Sequence, residues 1–298
     1  MSFLDYNNAF LMGNEWSYRK RDPIVFWPSE ASVMVDGKIW GSCHRQVYWK
    51  IKGAKLTNGT DLDSKRKQII GKAFEESEIE VFYKNPVFTE VVHGYKFKNI
   101  EVAPGIFING EMDAIVKKRK EYRIMELKSG GGRYFRDEVF GSGGTPGKPR
   151  DYYLLQTMLY LDIVNLIPEL ATKSIDTAEI YCIDREKCQT RSHILKLSDK
   201  FPVLNNRFMP EFSLLDVYDR FKKLKQYVLS DKVPAAEKDS YISIDEVDDM
   251  YRSKEITKWQ RDRWKNAGYG CNISCAYCGF LHKCQAQDGH RKEYKELT

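Results

Sequence analysis

The segment Gly110–Gly132, "GEMDAIVKKRKEYRIMELKSGGG", decides how the rest of the chain is read. Its residues alternate in the manner of two strands around a charged turn, yet two acids, Asp113 and Glu126, stand inside those strands. A two-residue turn centred between Arg119 and Lys120 pairs Asp113 with Glu126, Glu111 with Lys128 and Ile115 with Ile124. Side chains alternate between faces, so Asp113, Glu126 and Lys128 share one face while Met112, Ala114, Met125 and Leu127 take the other. Opposed side chains stand about 5 Å apart at Cβ, where two carboxylates repel. A hard divalent cation such as Mg²⁺ or Mn²⁺ offsets that repulsion; so does one raised pKa, or bonding of the acids to nearby Lys and Arg.

Outward from this hairpin the elements are legible in parts. Upstream, "SKRKQIIGKAFEESEIEVFY" has Ile69, Ile70, Ala73 and Phe74 at helical spacing, with Ser64 as N-cap and Glu75 and Glu76 following. "VFTEVVHGYKF" predicts a further strand. Downstream, residues 130–150 are glycine-rich and predict a functional or mobile loop. Within it "GSGGTPGKP" imitates a phosphate-binding loop, but Ser142 stands where the first Gly belongs and Pro149 where a metal-holding hydroxyl belongs, which excludes that reading. Asp151 caps an apolar helix that Pro168 ends, "TAEIYCIDRE" and "TRSHILKLS" form a hairpin, and "LLDVYDRFKKLKQYVLS" is an amphipathic helix. The expected organisation is an N-terminal segment 1–60, a core 61–230 carrying the insertion 130–150, and a C-terminal part 231–298 of linker, basic helix and cysteines.

Composition bounds the function. The 298 residues are 42% hydrophobic and bury a real core. With no long apolar run and no signal-like start, the expectation is a soluble, cytoplasmic protein without a membrane partner. The net charge of +6 permits a polyanionic partner without demanding one. The abundant aromatic residues serve a core or base stacking equally. Trp259 and Trp264 lie on the basic helix "EITKWQRDRWKNAG", a candidate lining for a bound strand or a solvated face beside core aromatics. Seven cysteines, four of them crowded near the C-terminus, suit metal ligation in a reducing compartment. Cys275, Cys278 and Cys284 form C-x2-C-x5-C, and Cys271 supplies a fourth thiol for tetrahedral zinc on spacing alone.

Three motifs in order carry a resemblance. "GEMD" followed by "ELK" is similar to the D…(D/E)xK signature of restriction-endonuclease-like nucleases, and "QTMLY" (Gln156 to Tyr160) to the QxxxY motif of their RecB-type branch. "GKAFEE" resembles that branch's first motif and selects Glu75, where many members carry His. The resemblance implies an α/β PD-(D/E)xK nuclease core with a mixed central sheet flanked by helices. It implies Glu75, Asp113 and Glu126 as Mg²⁺ or Mn²⁺ ligands, with Asp113, Glu126, Lys128, Gln156 and Tyr160 in the catalytic set. The C-terminal cysteines and the lone Cys43, near Arg45, resemble the iron–sulfur members, among them the CRISPR-associated Cas-four exonucleases. That likeness implies a [4Fe–4S] cluster on Cys43, Cys275, Cys278 and Cys284, joining the N- and C-terminal segments and leaving Cys271, Cys182 and Cys188 outside. The implied activity is exonucleolytic cleavage of single-stranded or frayed DNA ends, 5′ to 3′. A restriction-type endonuclease and a non-catalytic, zinc-containing nucleic-acid-binding module are the alternatives.

Overall fold

The computed structural model describes residues 18–58 and 62–290; residues 1–17 of the expected N-terminal segment, and with them the start of the chain, lie outside. The central hairpin is β5 (Ile106–Lys118) and β6 (Glu121–Gly130), paired antiparallel from Lys118–Glu121 to Ala114–Met125 in the register expected from the sequence. Arg119 opens the turn with φ 58°, the positive value a two-residue turn requires. β4 (Glu90–Ala103) runs along the other edge of β5, and β1 (Val25–Phe26) pairs in parallel with Phe107 and Ile108. Beyond β6 the sheet continues through β9 (Thr177–Asp184, parallel to β6), β10 (Gln189–Ser198), β11 (Phe201–Leu204) and β12 (Arg207–Phe208), the last three antiparallel. Among the described residues this is one eight-stranded mixed sheet.

Alternation along β5 and β6 gives each face its own cover. Ala114, Val116, Met125 and Leu127 pack under Ile79 and Phe82 of α2 (Leu62–Lys84). On the opposite face, Phe135 and Val139 of α3 (Arg133–Val139) and Tyr153 of α4 (Asp151–Ile163) cover Ile180 and Cys182 of β9. Burial of each large apolar side chain contributes roughly 1.5–3 kcal/mol, so the two clusters fix which face of the hairpin looks at which helix. α4 buries Leu154, Leu155, Met158, Leu159 and Ile163, which accounts for its apolar sequence.

Several elements differ from expectation. The glycine-rich stretch 130–150 contains α3 and a small hairpin, β7 (Gly141–Ser142) with β8 (Thr145–Pro146). Phe135 and Val139, planted in the core, organise what composition alone presents as a loop. Ser64 lies inside α2 rather than capping it, and Ile69 and Ile70 are 54% and 48% exposed, because the helix uses Ile79 and Phe82 for packing. Arg150 occupies the cap position of α4; the Asp151 carboxylate instead accepts from Gly41 N at 3.1 Å. α4 ends at Ile163, and Pro168 opens the short α5 (Pro168–Ala171) rather than closing its predecessor. Within the first sixty residues, β2 (Ser32–Val35) and β3 (Lys38–Gly41) form a hairpin that the sequence had left irregular.

Contacts divide the chain into two compact units. One comprises Asp22–Ser42 and Lys65–Gln226 and holds the eight-stranded sheet; the other comprises the described residues of Met1–Arg21, Cys43–Ser64 and Tyr227–Thr298. α6 (Leu214–Leu229) leads from the first into the second. The second contains α1 (His44–Ile51), α7 (Ile244–Arg252), α8 (Lys258–Ala267), α9 (Ile273–Ala276) and α10 (Leu281–Gln287). Val247, Ile256 and Trp264 form a local core there. Thr57 N and Asn58 N donate to Gly279 O at 2.8 and 3.0 Å, clasping the early segment of this unit to the cysteine-bearing one. Among the described residues no helix is long and apolar enough to cross a membrane.

Candidate active site

The β5–β6 ladder stops at Ala114–Met125, one step before the two acids, and side chains take over from backbone pairing. Leu127 N donates to Asp113 Oδ2 at 2.8 Å, so the carboxylate occupies the place of a ladder bond. Lys128 Nζ lies 3.9 Å from the same Oδ2 and pairs with Glu126 Oε1. Asp113, Glu126 and Lys128 therefore converge. Glu111 does not face Lys128 but stands half-exposed, 3.8 Å from Lys96 Nζ.

Glu126 has 0% exposure, and its Oε2 is buried without a hydrogen-bond donor. Burial, then the Asp113 charge, pushes its pKa up to about 8, although Lys128 pulls it down. Burial also raises Asp113. The Lys128 ammonium is held above its ordinary value because the charges of Glu126 and Asp113 outweigh its own desolvation. A fully buried acid and a partly buried one, with one unmatched oxygen and a single ammonium between them, form a site short of positive charge. A divalent cation fits that deficit.

Glu75 reaches the same region from α2: burial raises its pKa, followed by the Asp113 charge, with Lys128 opposing. Glu76 points to solvent, 3.9 Å from Lys72. A cavity of about 490 Å³ is lined by Glu75, Lys128, Gln68, Lys72 and Ser129 among others. Among the described residues no three His, Cys, Asp or Glu side chains are already drawn together around one metal position.

Gln156 and Tyr160 lie on α4 above the strand. Gln156 Nε2 donates to Tyr160 Oη at 2.9 Å, and Tyr160 Oη donates to Glu111 O at 2.7 Å, while the Tyr160 ring meets Phe97 edge-on. In this geometry the pair braces β5 two residues before Asp113. The sequence reading missed Tyr153, whose ring centroid lies 5.5 Å from Lys128 Nζ. Its only signal was its place at the head of an apolar helix.

In the other unit, Cys43, Cys275, Cys278 and Cys284 line one cavity together with Arg45. Cys43 caps α1, its sulfur accepting from Gln46 N at 3.4 Å. Arg45 bonds both Asp288 carboxylate oxygens at 2.8 Å and Pro234 O at 2.8 Å, holding α1 to the residue after α10 and to the stretch before α7. Burial raises the pKa of all four thiols, and they too are not drawn together around one metal position. Cys271 is buried and does not line that cavity; Cys182 belongs to the sheet core and Cys188 is exposed. Trp264 is core and cannot stack on a ligand, whereas Trp259 is 61% exposed with Arg263 over its ring.

The family model described as the PD-(D/E)XK nuclease superfamily matches residues 45–285. No curated protein matches the sequence. A solved structure described as "Crystal structure of SSO0001" is similar at 12% identity and a TM-score of 0.45, covering 96% of this chain and 98% of that one.

Proposed function

The chain belongs to the PD-(D/E)XK nuclease superfamily, and from that premise we propose that it is a DNA exonuclease hydrolysing phosphodiester bonds at single-stranded or frayed ends. The observation that carries the reading is the convergence of Asp113, Glu126 and Lys128 where the β5–β6 ladder ends. Asp113, Glu126 and Glu75 would hold Mg²⁺ or Mn²⁺, which when bound supplies Lewis-acid charge at the scissile phosphate and a more acidic water. Lys128 remains charged beside the acids, orients the attacking water and donates to the phosphate oxygens as negative charge grows on them. Tyr160 and Gln156 act through the backbone of β5 and are positioning residues.

The preference for ends, and the 5′ to 3′ direction, rest on the likeness of the motifs to the iron–sulfur branch. In that branch's manner Cys43, Cys275, Cys278 and Cys284 would hold a [4Fe–4S] cluster with a structural role, tying α1 to the C-terminal cysteines within their own unit. End-labelled linear strands and closed single-stranded circles of the same sequence, incubated with Mg²⁺ or Mn²⁺, test the reading. Linear strands should shorten stepwise while circles persist, and Asp113→Ala or Lys128→Ala should lower cleavage by at least two to three orders of magnitude with the fold intact. Circles cut as fast as linear strands would replace the exonuclease with an endonuclease. Undiminished cleavage by Asp113→Ala, once contaminating nucleases are excluded, would make the acids structural.

A further inference from the structure

Tyr152, Gln156 and Tyr160 are spaced four apart on α4 and form one row along the helix. The row starts at β5, where Tyr160 Oη holds Glu111 O, passes through Gln156, and ends in solvent at Tyr152, which is 38% exposed. The Tyr152 ring meets Tyr153 edge-to-face at 4.3 Å between centroids, and Tyr153 in turn borders Lys128. Arg150 Nη1 donates to Tyr152 Oη at 3.3 Å while its Nε donates to Glu138 at 3.0 Å. The ring is thus held at its edge and at its hydroxyl, yet more than a third of the residue stays in water. An aromatic side chain fixed in this way loses little further freedom when something settles on it.

We propose that Tyr152 is a stacking platform for a base next to the scissile phosphate, an inference that rests on the nuclease reading above. The placement follows from the chain of contacts: Lys128 serves the phosphate, Tyr153 touches Lys128, and Tyr152 touches Tyr153. Stacking requires only a π face, so it holds an unpaired base of any sequence, as an enzyme acting on single strands needs. A purely structural Tyr152 would act through its hydroxyl bond to Arg150 or its ring contact with Tyr153, and its loss would then be felt whether or not a base is present on the strand.

The test is binding of short single strands carrying 2-aminopurine at successive positions, in Ca²⁺ to separate binding from Mg²⁺-dependent cleavage, followed by cleavage in Mg²⁺. Wild type should quench the fluorophore most strongly at one position beside the cleaved bond. Tyr152→Ala should bind about tenfold more weakly, whereas Tyr152→Phe and Tyr152→Trp should stay within about twofold of wild type. An abasic residue at that position should erase the difference between wild type and Tyr152→Ala. Equal binding by Tyr152→Ala on the intact strand, a deficit that persists on the abasic strand, or a Tyr152→Phe as weak as Tyr152→Ala would each overturn the platform. Failure of wild type to bind or cleave any strand would instead remove the nuclease reading on which it stands.

Discussion

Glu126 keeps its proton far above the usual carboxylate range because it has lost water and faces Asp113. Between the ordinary value of 4.5 and about 8, the folded, metal-free chain binds a proton that the unfolded chain has released, so stability falls as pH rises through that window. Lys128, raised by the same acids, is charged in both states below its ordinary value of 10.5 and adds no slope there. His193 runs the other way: burial lowers it to about 4 from 6.5, so its contribution grows as pH rises between those values. The difference between wild type and Glu126→Gln reads the acid pair that Glu126 forms with Asp113. In EDTA, the variant should gain on wild type by on the order of 1 kcal/mol per pH unit between pH 5 and 8, measured by urea denaturation. A flat difference would mean that Glu126 ionises normally. Alternation along the strands was enough to single out Asp113, Glu126 and Lys128, since face and register follow from counting residues. The row ending at Tyr152 was illegible because it depends on how α4 docks over the sheet.

At the scale of elements, the junction between β6 and α3 is tightly constrained. Gly130 ends the strand directly beneath Phe135, and a Cβ there would lie 2.3 Å from Phe135 Cδ2. Gly130→Ala should cost about 1–3 kcal/mol in denaturant unfolding and, by displacing the end of β6, lower cleavage through Lys128 as well. A loss under about 0.5 kcal/mol would show that α3 yields instead of the strand. Long strands with strict alternation were visible in the sequence because one buried face imposes a period of two. Short elements held by a few core contacts, such as α3 and the β2–β3 hairpin, carry no period of their own. Pro168 misled for a related reason: a proline that cannot continue one helix is well suited to begin the next.

For the whole molecule, the cysteines provide the separate test of the second unit. Protein purified without oxygen should contain about four iron atoms per chain with matching sulfide. Cys43→Ser should lose them as completely as Cys278→Ser, while Cys271→Ser, Cys182→Ser and Cys188→Ser keep them. Stoichiometric zinc in place of iron, or iron retained by Cys43→Ser and lost by Cys271→Ser, would assign the thiols to a different centre. The cysteine spacing was legible in the sequence; the bonds of Arg45 to Asp288 and Pro234 that hold α1 to the far end were not, since they join residues from opposite ends of the chain.

The continuous stretch Lys65–Gln226 lies between the two halves of the cysteine-bearing unit and belongs entirely to the other one. During synthesis the ribosome therefore releases Cys43 early and Cys284 late, with nearly the whole sheet made between them. If that sheet forms first, the long stretch between Lys65 and Gln226 is a folded body instead of a flexible chain, and its own conformational entropy has been lost before the last cysteine emerges. The order of birth of the segments would then favour a working hairpin before the cysteines meet.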